Sequence, residues 1–214
     1  MSAQRVIVLA GGSGATGETV SRTLLAAGHR VVVTGRSSAR LAAVAERASG
    51  VETVEADATD LASMHDLASR LGPVDAVIPL VGGWRGGGGL AGQSDEDFAA
   101  LLPALEAVRA TSRAFDDALR SSDAGRFAIV SSTVVARPLA GGANYAAVKA
   151  ASEAWTRAVA QGYAKAARDA AEPLRAASVV FRAKALDPEA LAARVAALWD
   201  EDAADLNDRV FDLG

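Results

Sequence analysis

RVIVLAGGSGATG, residues 5–17, decides the fold. Arg5 to Ala10 is a β-branched run, long enough for a strand and too short for a helix, and it stops in glycines. Without polar alternation it reads as a strand buried on both faces, as inside a parallel sheet. Gly12, Gly14 and Gly17 then make G-x-G-x-x-G as the chain turns into a helix over Gly17 to Ala27, which Gly28 stops. Glycine lets the backbone approach a pyrophosphate closely, while the helix N-terminus offers N–H groups and the positive end of its dipole. Glycine turns also serve merely as connections; it is the place of this one, on the opening strand–turn–helix unit, that favours a dinucleotide. Gly11, Gly12, Ser13, Gly14, Ala15, Thr16 and Gly17 are the candidate contacts.

Outward from that unit the same alternation repeats. Strands are expected at Arg30 to Thr34, Val51 to Glu55, Val74 to Leu80, Phe127 to Ser131, Ala177 to Phe181 and Asp208 to Leu213. Helices are expected at Ser38 to Ala48, Asp60 to Leu71, Tyr145 to Ala171 and Pro188 to Trp199, with a long one from Asp95 to Leu119 bent at Pro103. Strictly alternating strands and helices imply a doubly wound parallel sheet of the Rossmann type, of about seven strands covered by helices on both faces. No linker or internal repeat divides residues 1–214, so a single α/β domain is expected.

Composition narrows the partners. Half the chain is apolar and only 5% aromatic, so the core is built from Ala, Val and Leu. A net charge of −4 without a basic block argues against nucleic acid. The absence of cysteine excludes disulfides, thiol nucleophiles and thiolate metal sites. No stretch has the length or apolarity of a membrane span or a secretory leader, and a cytoplasmic protein is expected. His29 and His65 lack a second ligand nearby and read as capping or surface residues rather than metal ligands. Trp155 and Trp199 read as packing residues, Asp116-Asp117 as an exposed helix face and Asp200-Glu201-Asp202 as a solvated turn.

The adenosine end carries a preference. Dinucleotide sheets that take NAD usually end the second strand in Asp or Glu, which binds the ribose hydroxyls. Here Gly35 stands at that place, followed by Arg36 and Ser37. A carboxylate would repel a 2′-phosphate, whereas a guanidinium and a hydroxyl would hold one, so NADP(H) is the expected cofactor. The alternative is an ordinary solvated arginine in a polar turn.

Ser131-Ser132-Thr133 ends the fifth strand, and Tyr145-Ala146-Ala147-Val148-Lys149 opens the next helix. The Y-x-x-x-K spacing puts phenol and amine one turn apart on one face. A phenol titrating near 10 is a poor acid–base group at neutral pH, and a nearby ammonium is expected to lower it. Ser132 stands where its hydroxyl could bind a substrate oxygen. Alone, each of these residues also has a plain structural explanation: a helix-start aromatic, a solvated lysine, a capping serine.

Taken in order, the motifs resemble the short-chain dehydrogenase/reductase family from Val6 to the C-terminus. The pieces are GGSGATG, Asp57 in EADATD, VDAVIPLVGG (74–83), SST (131–133), GGANYAAVK (141–149) and NDRVFDLG (207–214). The resemblance implies Tyr145 as general acid/base, Lys149 as the group that tunes it and binds the nicotinamide ribose, and Ser132 as the group orienting a carbonyl. It implies that Asp57 contacts the adenine ring and that Ala58, Val81 and Gly82 are further cofactor contacts. It also implies a symmetric homodimer or homotetramer built through the helices beginning near Asp95 and at Tyr145.

The chain departs from that family at several places. Ala15 falls where the commonest loop has its middle glycine. Pro79-Leu80-Val81-Gly82 replaces Asn-Asn-Ala-Gly, no Asn lies between Phe98 and Phe115, and Arg182-Ala183 replaces Pro-Gly. The segment that normally covers substrate is nearly absent before Pro188. The loop Val81-Gly82-Gly83-Trp84-Arg85-Gly86-Gly87 is similar to that of the dihydropteridine reductases in the family, which also lack the Asn. That similarity implies Trp84 and Arg85 as substrate contacts on a mobile loop; the alternative is a glycine-rich loop whose Trp packs at the domain edge. The reading from sequence is therefore an NADP(H)-dependent reductase of a small carbonyl or imine compound. Its rival is a cofactor-binding regulator or scaffold that has lost turnover.

Overall fold

The computed structural model describes residues 4–213. Seven strands form one sheet: β1 (Val6–Ala10), β2 (Arg30–Gly35), β3 (Glu52–Glu55), β4 (Ala76–Pro79), β5 (Arg126–Ser132), β6 (Ala177–Ala183) and β7 (Val210–Asp212). The order is β3-β2-β1-β4-β5-β6-β7, and every pairing is parallel. The connecting helices are α1 (Ala15–Ala26), α2 (Ser38–Arg47), α3 (Leu61–Leu71), α4 (Asp95–Ala114), α5 (Asp116–Ser121), α6 (Ala143–Asp169), α7 (Pro188–Ala196) and α8 (Ala203–Leu206).

Ile7, Leu9, Val31 and Val33 face one way, with α1 and α7; Val8, Val32 and Val77 face the other, with α3 and α4. This is why the central strands read as unbroken apolar runs: alternate side chains enter two separate cores. The chain winds outward from β1 to β3, then returns to place β4 on the other side of β1. The crevice at the carboxyl ends of β1 and β4 is therefore a topological switch point, where open parallel sheets bind ligands.

Three expectations are corrected here. The long helix runs unbroken through Pro103 and ends at Phe115, where a fully buried ring starts the separate α5. Pro103 is tolerated because the carbonyl it leaves without a donor, that of Ala99, lies on an exposed turn. His29 is buried rather than superficial: its Nδ1 accepts from the Arg5 N–H, its ring lies 5.4 Å from that of Trp199, and burial lowers its pKa. The acidic turn is only partly solvated, since the Glu201 carboxylate pairs with Arg194 and Arg209. Its backbone carbonyl accepts from Arg126, a buried guanidinium that also binds the carbonyls of Leu198, Gly125 and Arg175. Burial pulls the Arg126 pKa down to about 10. No helix among the described residues is long and apolar enough to cross a membrane.

Candidate active site

The phosphate loop is shaped by what glycine leaves out. A Cβ on Gly17 would stand 1.9 Å from the Gly12 carbonyl oxygen, so α1 can close onto the loop only with glycine there. Gly14 is the N-cap of α1 and brings no side-chain cap, which leaves the first N–H groups of the helix free for an anion. The shift of one glycine from the commonest family loop is absorbed at this cap, with Ala15 as the first helical residue. A Cβ on Gly35 would lie 2.9 Å from Ser13 Oγ. A side chain there would press on Ser13 and Leu41, so glycine rather than the carboxylate of an NAD site stands at the end of β2.

A cavity of about 490 Å³ opens there. Gly11 to Gly17, Arg36, Ser37, Asp57, Ala58, Val81 and Gly82 all line it, so the loop, the end of β2 and the ends of β3 and β4 converge as the sequence implied. Arg36 lies 3.8 Å from the Asp57 carboxylate, which also accepts from the N–H and hydroxyl of Thr59. Ser37 is occupied as the N-cap of α2, accepting from the Arg40 N–H. Arg40 lines the same cavity and was missed in the sequence; its signal was a second arginine one turn beyond Arg36, on the helix that follows β2.

A second cavity, of about 260 Å³, holds Tyr145 and Lys149 together with Val130, Ser131, Ala183, Lys184 and Leu186. It shares Thr16, Leu80, Val81 and Gly82 with the first. Tyr145 and Lys149 sit on the first turns of α6, and the amine lies 5.7 Å from the centroid of the phenol ring. Lys149 is buried and donates to the Val130 carbonyl of β5 at 2.8 Å. Burial drives its pKa down to about 8, with Glu153 working the other way.

The Tyr145 phenol does not behave as expected. Burial raises its pKa, and the opposing hydrogen bond comes from Ser132 rather than from Lys149. The reason is geometric: the amine is spent on the Val130 carbonyl and stands over the ring rather than at the hydroxyl. Ser132 ends β5 as expected, close to the phenol, though 3% exposed, and its oxygen also lies 3.4 Å from the Val134 N–H.

Trp84 and Arg85 are not brought to these groups. The Trp84 side chain is 63% exposed and does not line the cavity of Tyr145, while Arg85 lies 3.8 Å from Asp97. The loop is also fastened at its base. Gly87 N–H donates to the Gly141 carbonyl at 2.7 Å. The Gln93 amide reaches the carbonyls of Gly87, Gly89 and Gly141 and accepts from the Asn144 N–H. That cavity is walled by Ala183, Lys184 and Leu186, the short segment after β6, in the place the sequence implied for Trp84.

A group unforeseen in the sequence lies beneath the pair. Ser131 Oγ donates to Glu153 at 2.6 Å, and Arg182 grips both oxygens of that carboxylate at 2.8 and 2.6 Å. Arg182 stands where the family has proline, and it is the register partner of Ser131 across β5 and β6.

The family model for short chain dehydrogenases matches residues 5–167. Among solved structures, a short-chain type dehydrogenase/reductase from Mycobacterium ulcerans superposes with a TM-score of 0.84 at 15% identity, over 99% of this chain and 89% of that one. A short chain dehydrogenase from Mycobacterium smegmatis gives 0.79 at 23% identity, over 99% and 92%. A protein from Shigella flexneri 2a, classed with the same dehydrogenases and complexed with NADP, gives 0.82 at 19% identity, over 98% and 96%. No curated protein matches the sequence. With three quarters of its length inside the family model and its fold shared end to end, the chain belongs to the short-chain dehydrogenases.

Proposed function

We propose that the protein is an NADP(H)-dependent oxidoreductase that moves hydride between the cofactor and a small carbonyl or imine compound, pteridine- or quinone-like in shape. The observation that carries this reading is the shared wall of Thr16, Leu80, Val81 and Gly82, which joins the phosphate-loop cavity to the cavity of Tyr145 and Lys149. The donor set fits a dinucleotide with an extra phosphate: uncapped helix N–H groups at Gly14, and Arg36 and Arg40 lining the cavity just beyond Gly35. The NADP complex of the Shigella flexneri protein supports the same cofactor.

When bound, the nicotinamide supplies the hydride; the protein supplies position and a proton. In this reading Lys149 binds the nicotinamide ribose, and Ser132, beside the phenol, donates to the substrate oxygen. Tyr145, with its pKa raised, keeps its proton until oxyanion character develops on the substrate, and then delivers it. A protonated phenol is the form needed for reduction. The protein is inferred to act as a symmetric homodimer, or a tetramer built from it, through α4 and α6.

The test is NADPH oxidation measured against quinonoid pterins, quinones and small ketones. Turnover with at least one class is expected, with Tyr145→Phe reducing it at least about a hundredfold, the scale of a lost general acid. Tight NADPH binding without turnover on any class would move the assignment to a regulator or scaffold.

A further inference from the structure

Three successive residues of β5 each meet one turn of α6, and two of them are hydrogen-bonded to it. Ser132 faces Tyr145, the Val130 carbonyl takes the Lys149 amine, and the Ser131 hydroxyl takes Glu153. Tyr145, Lys149 and Glu153 follow each other at four-residue spacing, so they share one helix face. The third contact has its own support. Arg182 is brought to the carboxylate by the pairing of β5 with β6, and its fork closes on both oxygens. Glu153 is 4% exposed, the one buried carboxylate among the described residues.

We propose that Glu153, gripped by Arg182 and Ser131, is a positioning residue. It locks α6 in register on β5 and faces Lys149 with a fixed negative charge that Arg182 holds in check. The inference rests on the reading of Tyr145 and Lys149 as the catalytic pair. An isolated buried carboxylate would take up a proton or move. Here burial does work to raise the Glu153 pKa, but Arg182 first and Ser131 second hold it below the ordinary carboxylate value. Its charge in turn opposes the burial that lowers Lys149.

The other groups around the amine are few. α6 itself brings the Tyr145 phenol, β5 only a carbonyl and two hydroxyls, and β6 brings Arg182, whose guanidinium is turned to Glu153. Lys184 lines the same cavity beyond β6. The β4 loop and α4 bring Gly82 and Ala104, which carry no charge. Arg157 acts on Glu153 from the same helix.

The chain has three lysines, Lys149, Lys165 and Lys184, so protein labelled with 13C at the lysine ε-carbons gives three resonances, assigned with Lys165→Arg and Lys184→Arg. Titrated without cofactor or substrate, the Lys149 resonance is expected to have its midpoint near 8. Glu153→Gln should move that midpoint lower by about one pH unit, and Arg182→Gln should move it higher by about as much, because the carboxylate is then no longer neutralised. Merely loosened packing would hydrate the amine and raise the midpoint in both variants; a rise or no change in Glu153→Gln overturns the proposal. If Glu153→Gln does not fold, Arg182→Lys decides. Unlike Arg182→Gln, it should keep a midpoint near wild type, and equal shifts in the two overturn the proposal. Activity of Tyr145→Phe tests the catalytic pair separately, so the two failures stay distinct.

Discussion

Arg36 and Arg40 are the arginines that line the phosphate-loop cavity. Arg36 is exposed and its carboxylate neighbour is at 3.8 Å, so it can turn to a 2′-phosphate with little to break. Arg36→Ala should weaken NADPH by about 1.5–3 kcal/mol, the scale of a charge-assisted bond, and leave NADH nearly unchanged. Fluorescence titration with both cofactors checks it, and wild-type protein preferring NADH would refute the cofactor reading. Lys149 shows what a buried amine costs at the same scale. Its pKa is 10.5 by its ordinary value and about 8 in the fold. Between those values the unfolded chain binds more protons, so this residue makes stability rise with pH from 8 to 10.5 and lowers it fully below pH 8. Lys149→Met should therefore be more stable at pH 7 by about 2–3 kcal/mol and lack that rise. Urea denaturation at pH 7 and pH 10 checks both; the same pH dependence in both proteins would count against the assignment.

At the scale of elements, the Gly-rich loop and the start of α6 act as one piece because Gln93 fastens them. Its amide joins Gly87 and Gly89 to Gly141, and its oxygen takes the N–H of Asn144, next to Tyr145. Gln93→Ala should cost about 1–2 kcal/mol of stability, since several backbone groups lose their partner. It should speed hydrogen exchange at the Gly87 amide and lower kcat/KM while NADPH affinity stays within a few-fold. Unchanged exchange at Gly87 would show that the loop is held by other means. The elements themselves were legible where a local pattern decides them: β-branched runs bordered by glycine for β1, β2 and β5, and Y-x-x-x-K for the first turns of α6. What was not legible depends on partners distant in sequence. Phe115 ends α4 because its ring is buried in the core beneath α3. Arg182 finds Glu153 only through strand register, and Trp84 turns outward because the loop is anchored to residues some fifty positions later.

At the scale of the molecule, α6 carries an exposed stripe of Ala147, Ala151, Ala154, Ala158 and Gly162, spaced at three and four residues along one face. Beside it α4 packs on α6, and Arg109 stacks on Trp155 at 5.1 Å. Where side chains are this small, two helices can approach at the short end of the usual 8–10 Å interaxial range, and van der Waals contact is gained over most of their length. A two-fold axis across α6 would set each stripe against its own copy, which satisfies the self-complementarity that a closed dimer requires. The site faces the carboxyl ends of the strands, so an interface along the flank of α6 leaves the cofactor cavity open. Ala154→Glu puts a carboxylate on each side of that axis without touching the core, because Ala154 is exposed in the single chain. Sedimentation should find wild-type protein dimeric or tetrameric at micromolar concentration and Ala154→Glu shifted toward monomer, with an unchanged circular dichroism spectrum. A wild-type protein that sediments only as a monomer would refute the assembly, and a variant that keeps the wild-type size would place the interface elsewhere.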